Sequence, residues 1–380
     1  MPKSVYIHIP FCEQICHYCD FNKFYLKYQP VSDYLLSLEK EMESSFTRFP
    51  VKEIKTIFIG GGTPTALSKD QLEQLMNMIH KYIDIELVQE FSVEANPDNL
   101  TEEKLSVLKN YGVNRLSIGV QSFNEELLKK IGRTHTNEVV FHSIKLAQKM
   151  GFHNISIDLM YALPTQTLKE FKQTLEIAFS LDLAHYSSYS LLVEPKTVFY
   201  NLWRNGKLTL PPQEEEAVMY EYLMEQMEKR GFRQYEISNF SKPGFESKHN
   251  LTYWNNEEYF GFGAGAHSYV HGVRRVNAGV LKKYMSLIES TNFPYVDEHL
   301  VTKTEQMEEE LFLGLRKTRG ISIRHFANKF GISIDKVFGQ QIEEQSRKGL
   351  LVKQDDHIFL THKGKLLGNE VFQAFLSSIE

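Results

Sequence analysis

The sequence predicts an α/β protein: a partial (βα)6 barrel of the TIM type, with a C-terminal winged-helix-like α/β module. Three observations predict it. Short β-branched runs alternate with amphipathic stretches through the first half, the pattern of βα units with parallel strands. Polar residues and glycines stand at the C-terminal ends of those runs, where such barrels carry their chemistry. The end of the chain reads helix, helix, helix, two short strands, helix.

The candidate strands are residues 5–9, 56–59, 91–95, 115–120, 154–159 and 185–191. Helices are expected near 31–49, 69–82, 101–111, 139–150 and 168–181. Ser68-Lys69-Asp70-Gln71 and Thr101-Glu102-Glu103 are N-caps followed by acidic first turns. Right-handed crossovers then wrap six parallel strands into an open or partial barrel. From 195 to 305 the pattern loosens: a helix near 214–229, a strand near 234–237 and a glycine-rich stretch, GFGAGAHSY, at 261–269. Three regions follow: the barrel over 1–200, a barrel extension or linker over 201–304, and the terminal module over 305–380.

At 42% hydrophobic and 24% charged, the composition is that of a globular protein with a sizeable core. A net charge of -5 implies no bulk attraction to nucleic acid or to an anionic membrane. The terminal module carries eleven basic and eleven acidic residues, whereas a DNA-reading wing is usually basic, so it reads as a packing or partner-contact module. No run is long enough to span a bilayer and no signal peptide is evident, so the expected location is the cytoplasm.

The three cysteines stand close together, as Cys12-x3-Cys16-x2-Cys19 in YIHIPFCEQICHYCDF. An odd count in a long chain argues against a disulfide framework. Structural zinc normally takes four protein ligands. Three soft thiolates suit a 4Fe-4S cluster whose fourth iron lacks a protein ligand; zinc with a noncysteine fourth ligand is the weaker alternative. Pro10 and Phe11 shape the entry to the loop, and Tyr18 and Phe21 can shield it, while His17 reads as a surface residue. Gly60-Gly61-Gly62-Thr63-Pro64 follows the second strand, Glu94 closes the third, Gln121 follows the fourth and Asp158 closes the fifth. Each alone could be a turn or a satisfied strand-end group. With Cys12 after the first strand they make five around one rim, which point to a shared site, where glycine lets backbone approach a ligand.

CxxxCxxC with an aromatic before the third cysteine, followed by GGGTP on the next strand, resembles the radical S-adenosylmethionine (SAM) superfamily. The likeness extends through YIHIPFC, EANPD, SIGVQSF, IGRTHT and SIDLMYALPTQT to YEISNF, HNLTYW and the terminal module. It is specific to the branch of the oxygen-independent coproporphyrinogen III dehydrogenases and the heme chaperones (HemN/HemW). The resemblance implies that Cys12, Cys16 and Cys19 hold the cluster, whose open iron takes the methionyl end of SAM. It also implies that Tyr6, Gly61, Gly62 and Thr63 line the methionyl region. Glu94 and Arg133 would meet its charged ends, Gln121 and Asp158 the ribose hydroxyls, and Tyr18 the nucleoside. By spacing alone, Arg133 reads as a loop surface residue.

Three features separate the two functions of this branch. The dehydrogenases continue their loop as CxxxCxxCxC, whereas Phe21 stands two after Cys19 here; they also carry a long N-terminal extension, and eleven residues precede Cys12. His249-Asn250-Leu251-Thr252-Tyr253-Trp254 matches the HNxxYW pattern tied to heme binding among the chaperones. His249, with Tyr253 and Trp254, could ligate iron beside an aromatic surface; a hydrogen-bonded structural histidine has the same local pattern, and His8 poses the same choice. The expectation is a chaperone that binds heme and passes it to an acceptor apo-protein, carrying a 4Fe-4S cluster and exchangeable SAM, with an electron donor such as flavodoxin as a further partner. The alternative is an enzyme that decarboxylates coproporphyrinogen III by a 5′-deoxyadenosyl radical.

Overall fold

The computed structural model describes residues 1–376; positions 377–380 of the expected terminal module lie outside the described residues. Six parallel strands run in chain order: β1 (Ser4–Ile9), β2 (Thr56–Gly61), β3 (Glu90–Ala95), β4 (Arg115–Gln121), β5 (Asn154–Tyr161) and β6 (His185–Ser190). Helices α1 (Val31–Arg48), α2 (Lys69–Tyr82), α3 (Glu102–Asn110), α4 (Asn137–Lys149) and α5 (Leu168–Phe179) fill the crossovers. Capping boxes start α2 at Ser68–Gln71 and α5 at Thr167–Glu170. On α1, Tyr34, Leu35, Leu38 and Met42 recur at helical spacing and are buried in the core.

Each parallel strand alternates. Val5, Ile7 and Ile9, then Ile57 and Ile59, Phe91 and Val93, Leu116 and Ile118, and Ile155 and Ile157 pack outward against the helices in one core. Their neighbours Tyr6, His8, Phe58, Glu94, Arg115, Ser117 and Asp158 face inward and line cavities. Parallel strands covered on both faces usually read as unbroken apolar runs. Alternation here means that the inner face lines a hollow, polar lumen rather than the packed interior of a complete TIM barrel.

The region from 201 to 304 holds more strand than the sequence suggested. Strands β7 (Arg233–Glu236), β8 (Asn239–Ser241), β9 (Tyr259–Phe262), β10 (His267–Val270), β11 (Val273–Asn277) and β12 (Tyr295–Leu300) join the same sheet. Among the described residues the order is β12-β11-β10-β9-β1-β2-β3-β4-β5-β6-β8-β7, a twelve-stranded mixed sheet. The glycine-rich stretch is itself β9 and the turn into β10. Gly261 pairs with Tyr6, and a Cβ there would sit 1.8 Å from the His267 carbonyl oxygen. The glycines therefore admit backbone to backbone, which is why this segment lacks a strand-like composition.

The terminal module has its own core, with Leu311, Phe326, Phe338 and Ile358 at its centre. Helix Lys303–Gly314 leads into it, and a three-stranded sheet joins Ile321–Ser322, His357–Leu360 and Leu351–Gln354. Its turn docks on edge strand β7: Ile237 N–H donates to the Arg316 carbonyl (3.1 Å) and Thr318 N–H to that of Tyr235 (3.0 Å). The module thus caps a sheet edge that would otherwise present unpaired backbone groups.

Candidate cluster and cofactor site

The loop from Cys12 to Lys23 is closed by its own backbone. Phe11–Cys12 pairs in parallel with Phe24–Tyr25, Phe24 N–H donates to the Pro10 carbonyl (2.7 Å) and Leu26 N–H to that of Cys12 (2.8 Å). Phe11, fully buried, anchors the entry edge-on to Tyr34, with ring centroids 5.2 Å apart. His17 ties the loop to its neighbours: its N–H reaches the Ile131 carbonyl (3.0 Å) and its Nδ1 lies 2.9 Å from that of Lys130. His17 is partly exposed at the surface, where it fastens the loop rim to the connection after β4.

Cys12, Cys16 and Cys19 open onto one upper chamber of about 390 Å³, together with Tyr18, Gly61, Gly62, Thr63, Glu94, Gln121, Arg133 and Asp158. Burial pushes the Cys12 thiol up to about 11, against the weak contact from Thr63 Oγ1 at 3.8 Å. Burial also raises Cys19, while nearby Lys23 opposes it. Cluster assembly must therefore displace protons from these thiols. Among the described residues no three His, Cys, Asp or Glu side chains are gathered about a single metal ion. Three thiols facing one chamber give it a set of soft donors.

The glycine run is packed against protein. A Cβ on Gly60 would lie 2.8 Å from the Glu94 carboxylate. One on Gly61, at φ +114°, would lie 2.5 Å from the His8 ring, and one on Gly62 would lie 2.8 Å from the Phe11 carbonyl and 2.9 Å from Cys12 Sγ. These positions need glycine for the chain's own closeness before any ligand is considered. Gly61 N–H donates to Glu94 Oε2 at 3.0 Å. Burial and the nearby Asp158 raise the Glu94 carboxyl to about 7, and burial raises Asp158, whose Oδ1 accepts from Ser117 Oγ (3.2 Å).

Arg133 is half-buried in this chamber rather than on the surface. Its Nη1 donates to Asn96 Oδ1 (2.5 Å), Asn96 Nδ2 donates to Thr63 Oγ1 (3.2 Å), and Arg133 Nη2 reaches Tyr18 Oη (3.5 Å). Its Nε is buried with no partner. Gln121 closes β4 at φ +67°, beside a break in the register with β5. Asn96 and Gly119 belong to this wall but were not singled out by sequence. Asn96 lies inside the EANPD motif, and Gly119 sits in the inward phase of β4, where a Cβ would come within 2.9 Å of the Arg133 guanidinium.

Two expectations fall elsewhere. Tyr6 does not line the upper chamber; it faces a lower one of about 410 Å³ in the lumen, which shares Gly61, Glu94 and Asp158 with the upper. Its hydroxyl is 2.8 Å from His8 Nδ1, and His8 Nε2 is 2.7 Å from the Asn22 carbonyl, so His8 is a satisfied core histidine. The HNLTYW segment forms α6 (Lys248–Trp254), whose start is held by Glu90 accepting from the N–H groups of Lys248 (2.7 Å) and His249 (3.1 Å).

His249 is fully buried, stacked on Phe58 and hydrogen-bonded at both ring nitrogens. Nδ1 lies 2.9 Å from Thr56 Oγ1 and Nε2 2.8 Å from Tyr253 Oη. Burial, helped by the positive Arg115, lowers its pKa to about 3. The expectation of an iron ligand is corrected at this point: neither nitrogen is free. Tyr253 faces the lower chamber as well as a second cavity, but Trp254 faces only the second, under the Arg316 guanidinium at 4.5 Å. The motif does not present one surface.

Comparison with known proteins places the chain. Residues 6–178 match the model of the radical SAM superfamily, and residues 301–367 that of the HemN C-terminal domain. Over 378 residues, 99% of this chain and 100% of the relative, it is 57% identical to the heme chaperone HemW of Bacillus subtilis. The chain belongs to the HemW family. The HemW of Escherichia coli is 33% identical, over 99% of this chain and 98% of that one. A solved structure of Escherichia coli coproporphyrinogen III oxidase (HemN), a radical SAM enzyme, superposes with a TM-score of 0.86 at 24% identity, over 99% of this chain and 90% of that one; it shares the fold.

Membership of the radical SAM superfamily implies a 4Fe-4S cluster and SAM. The residues of the upper chamber fit both: three thiols for the cluster, and a carboxylate and an unsatisfied guanidinium nitrogen on the walls for the two charged ends of an amino acid.

Proposed function

We propose that this protein is a heme chaperone. It binds heme and hands it to an acceptor apo-protein, with a cluster on Cys12, Cys16 and Cys19 and exchangeable SAM in the upper chamber. The observation that carries this reading is the 57% identity to a heme chaperone along the whole chain. Phe21, where the dehydrogenase pattern has a fourth cysteine, supports it.

When bound, the cluster supplies an electron and a coordination site for SAM. The chain's own residues do the rest in this reading. Glu94, in its ionised form, meets the ammonium group and Arg133 the carboxylate. Asn96 fixes the Arg133 fork and relays its position to Thr63 beside Cys12. Asp158, oriented by Ser117, takes the ribose hydroxyls with Gln121, and Tyr18 flanks the nucleoside. His249 acts as a positioning residue: it fastens α6 to β2 and holds the Tyr253 hydroxyl at the lower chamber. We place the protein in the cytoplasm with a reducing partner such as flavodoxin. Among the described residues no helix is long and apolar enough to cross a membrane. We read 1–200, 201–304 and 305–380 as barrel, barrel extension and terminal module.

The test is anaerobic cluster reconstitution, then parallel assays of heme transfer to an apo-hemoprotein and of coproporphyrinogen III turnover. Transfer without turnover is expected. Formation of protoporphyrinogen with SAM and reductant overturns the reading.

A further inference from the structure

The three cysteines are not held alike. Cys12 is paired with Tyr25 in a short ladder, and its carbonyl accepts from Leu26 N–H. Cys16 stands between two residues fastened to the connection after β4. Gln14 Nε2 donates to the Gly132 carbonyl (3.0 Å), and His17 meets the carbonyls of Ile131 and Lys130. The bonds of the Cys19 backbone stay inside the loop: its N–H donates to the Cys16 carbonyl (3.3 Å), and its carbonyl accepts from Lys23 Nζ. The place of Cys19 is therefore set by whatever holds the chain on either side of it. Tyr18, just before it, meets Arg133 at a long 3.5 Å. Asn22, three residues on, is held at three points.

The Asn22 carboxamide Nδ2 donates to the carbonyls of Ala264 (2.8 Å) and Gly279 (2.9 Å), and the Asn22 carbonyl lies 2.7 Å from His8 Nε2. The seat fits this side chain closely. A Cβ on Gly265, at φ +78°, would lie 2.8 Å from Nδ2, and one on Gly279 would lie 3.4 Å from Oδ1. From Gly263 to Ala266 the turn that forms the seat carries nothing larger than a methyl group, so it has no side chain to anchor it. It is held from behind by the buried Glu41 of α1. Oε2 of Glu41 accepts from Gly263 N–H (2.8 Å) and Tyr284 Oη (2.5 Å), and Oε1 accepts from Asn277 Nδ2 (2.7 Å). Asn277 Nδ2 also donates to the Gly263 carbonyl (2.8 Å). All these groups are donors toward Glu41, and only a carboxylate accepts at both of its terminal atoms. Tyr34 Oη ties the turn to β1, donating to the His8 carbonyl (2.6 Å) and accepting from Ala264 N–H (3.2 Å).

We propose that Asn22 is a positioning residue that fixes the Cys19 corner of the site, and that Glu41 acts through it by holding the turn in which its carboxamide is seated. The clasp closes the end of the cysteine loop onto β1 and the glycine turn, so that the Cys19 thiol faces the upper chamber before any ligand enters. That this placement helps to retain a cluster rests on the reading of the three thiols as its ligands; the placement itself does not.

The experiment reads one set of variants in two ways. Asn22→Asp sets a carboxylate oxygen against two carbonyls, Glu41→Gln sets an amide NH2 against a donor, and the third variant combines them. In cluster-free protein, alkylation by N-ethylmaleimide is followed at each cysteine by peptide mass spectrometry. Cys19 should react about tenfold faster in Asn22→Asp, as the loss of two hydrogen bonds at one anchor requires, and by a smaller factor in Glu41→Gln, with Cys12 unchanged in both. The double variant should react no faster than Asn22→Asp, because both changes act at one anchor. In reconstituted protein, the rate at which a ferrous chelator takes iron should follow the same order. The thermal transition of the cluster-free chain reports folding; should Asn22→Asp fail to fold, Asn22→Ser, which adds no charge, takes its place. Faster alkylation of Cys19 in the variants supports the clasp even where the wild type takes up no cluster, and in that case the cluster reading alone falls. Unchanged alkylation of Cys19 overturns the proposal, even where a cluster is held tightly. So does equal acceleration at Cys12 and Cys19, which marks general loosening, and so do effects that multiply in the double variant, which mark independent sites.

Discussion

The cysteine loop and the HNLTYW helix are both short motifs rich in metal-binding residue types, and the fold treats them oppositely. Around Cys12, Cys16 and Cys19 the backbone closes on itself and leaves the thiols facing a cavity, with a weak contact from Thr63 to Cys12 and the Phe21 backbone beside Cys19. Around His249 the fold supplies Thr56 to one ring nitrogen, Tyr253 to the other and Phe58 to the ring face. The first motif is a donor set held open and the second a donor set used up. A residue type shows that a group can bind a metal; only its partners show whether it is available to do so.

The largest expected effect breaks the first motif and spares the second. Cys16→Ala should abolish the cluster and its visible absorption after anaerobic reconstitution. His249→Ala should retain full iron and sulfide but cost about 3 kcal/mol in denaturant unfolding, since it empties a buried site and strands the Tyr253 hydroxyl, while Thr56 keeps its bond to Ser4. Loss of the cluster in the histidine variant, or a retained four-iron cluster in the cysteine variant, would erase the contrast.

Gly62→Val comes next. Its Cβ meets Cys12 Sγ and the Phe11 backbone, so the variant should lose iron as well as SAM affinity. Full iron content with SAM binding alone impaired would mean that the glycine serves the ligand rather than the loop.

Asp158→Ala removes a side chain that borders both chambers while leaving the thiols untouched. SAM binding should weaken by about 1–3 kcal/mol by calorimetry, the range for a ligand group left unpaired, with cluster absorbance unchanged. Unaltered SAM affinity would take this wall out of the site.

The smallest effect is a pH dependence. The Glu94 carboxyl is raised to about 7 by burial and by Asp158, so it is protonated below neutrality and ionised above. An ammonium group needs the ionised form, so SAM affinity should fall as pH drops through about 7, by no more than about tenfold per pH unit. Glu94→Gln should flatten this profile; a slope that persists in the variant would assign the titration to another group.

Much of the site was legible because strand period and strand-end polarity are local signals. S-V-Y-I-H-I, E-F-S-V-E-A and R-L-S-I-G-V-Q place one residue in two on each face, a period that could have separated core from lumen. The polar phase could have flagged Arg115 and Ser117, yet Arg115 reads simply as the start of a strand when β4 is taken alone. The strands between 201 and 304 were harder, because β9 is glycine-rich for close backbone approach and pairs with β1, more than 250 positions away.

The sequence by itself determined the grouping of the three cysteines, the order of the six parallel strands and the rim on which Glu94, Gln121 and Asp158 stand. Each of these follows from a pattern within a short stretch of chain. Tertiary structure alone decided that Arg133 turns inward to Asn96, that Tyr6 belongs to the lower chamber, and that His249 is spent on Thr56, 193 positions away. The physical reason is that availability is a property of the whole surroundings. A thiol, an imidazole or a guanidinium is free or satisfied according to groups that the fold brings from distant parts of the chain, and no local pattern encodes them.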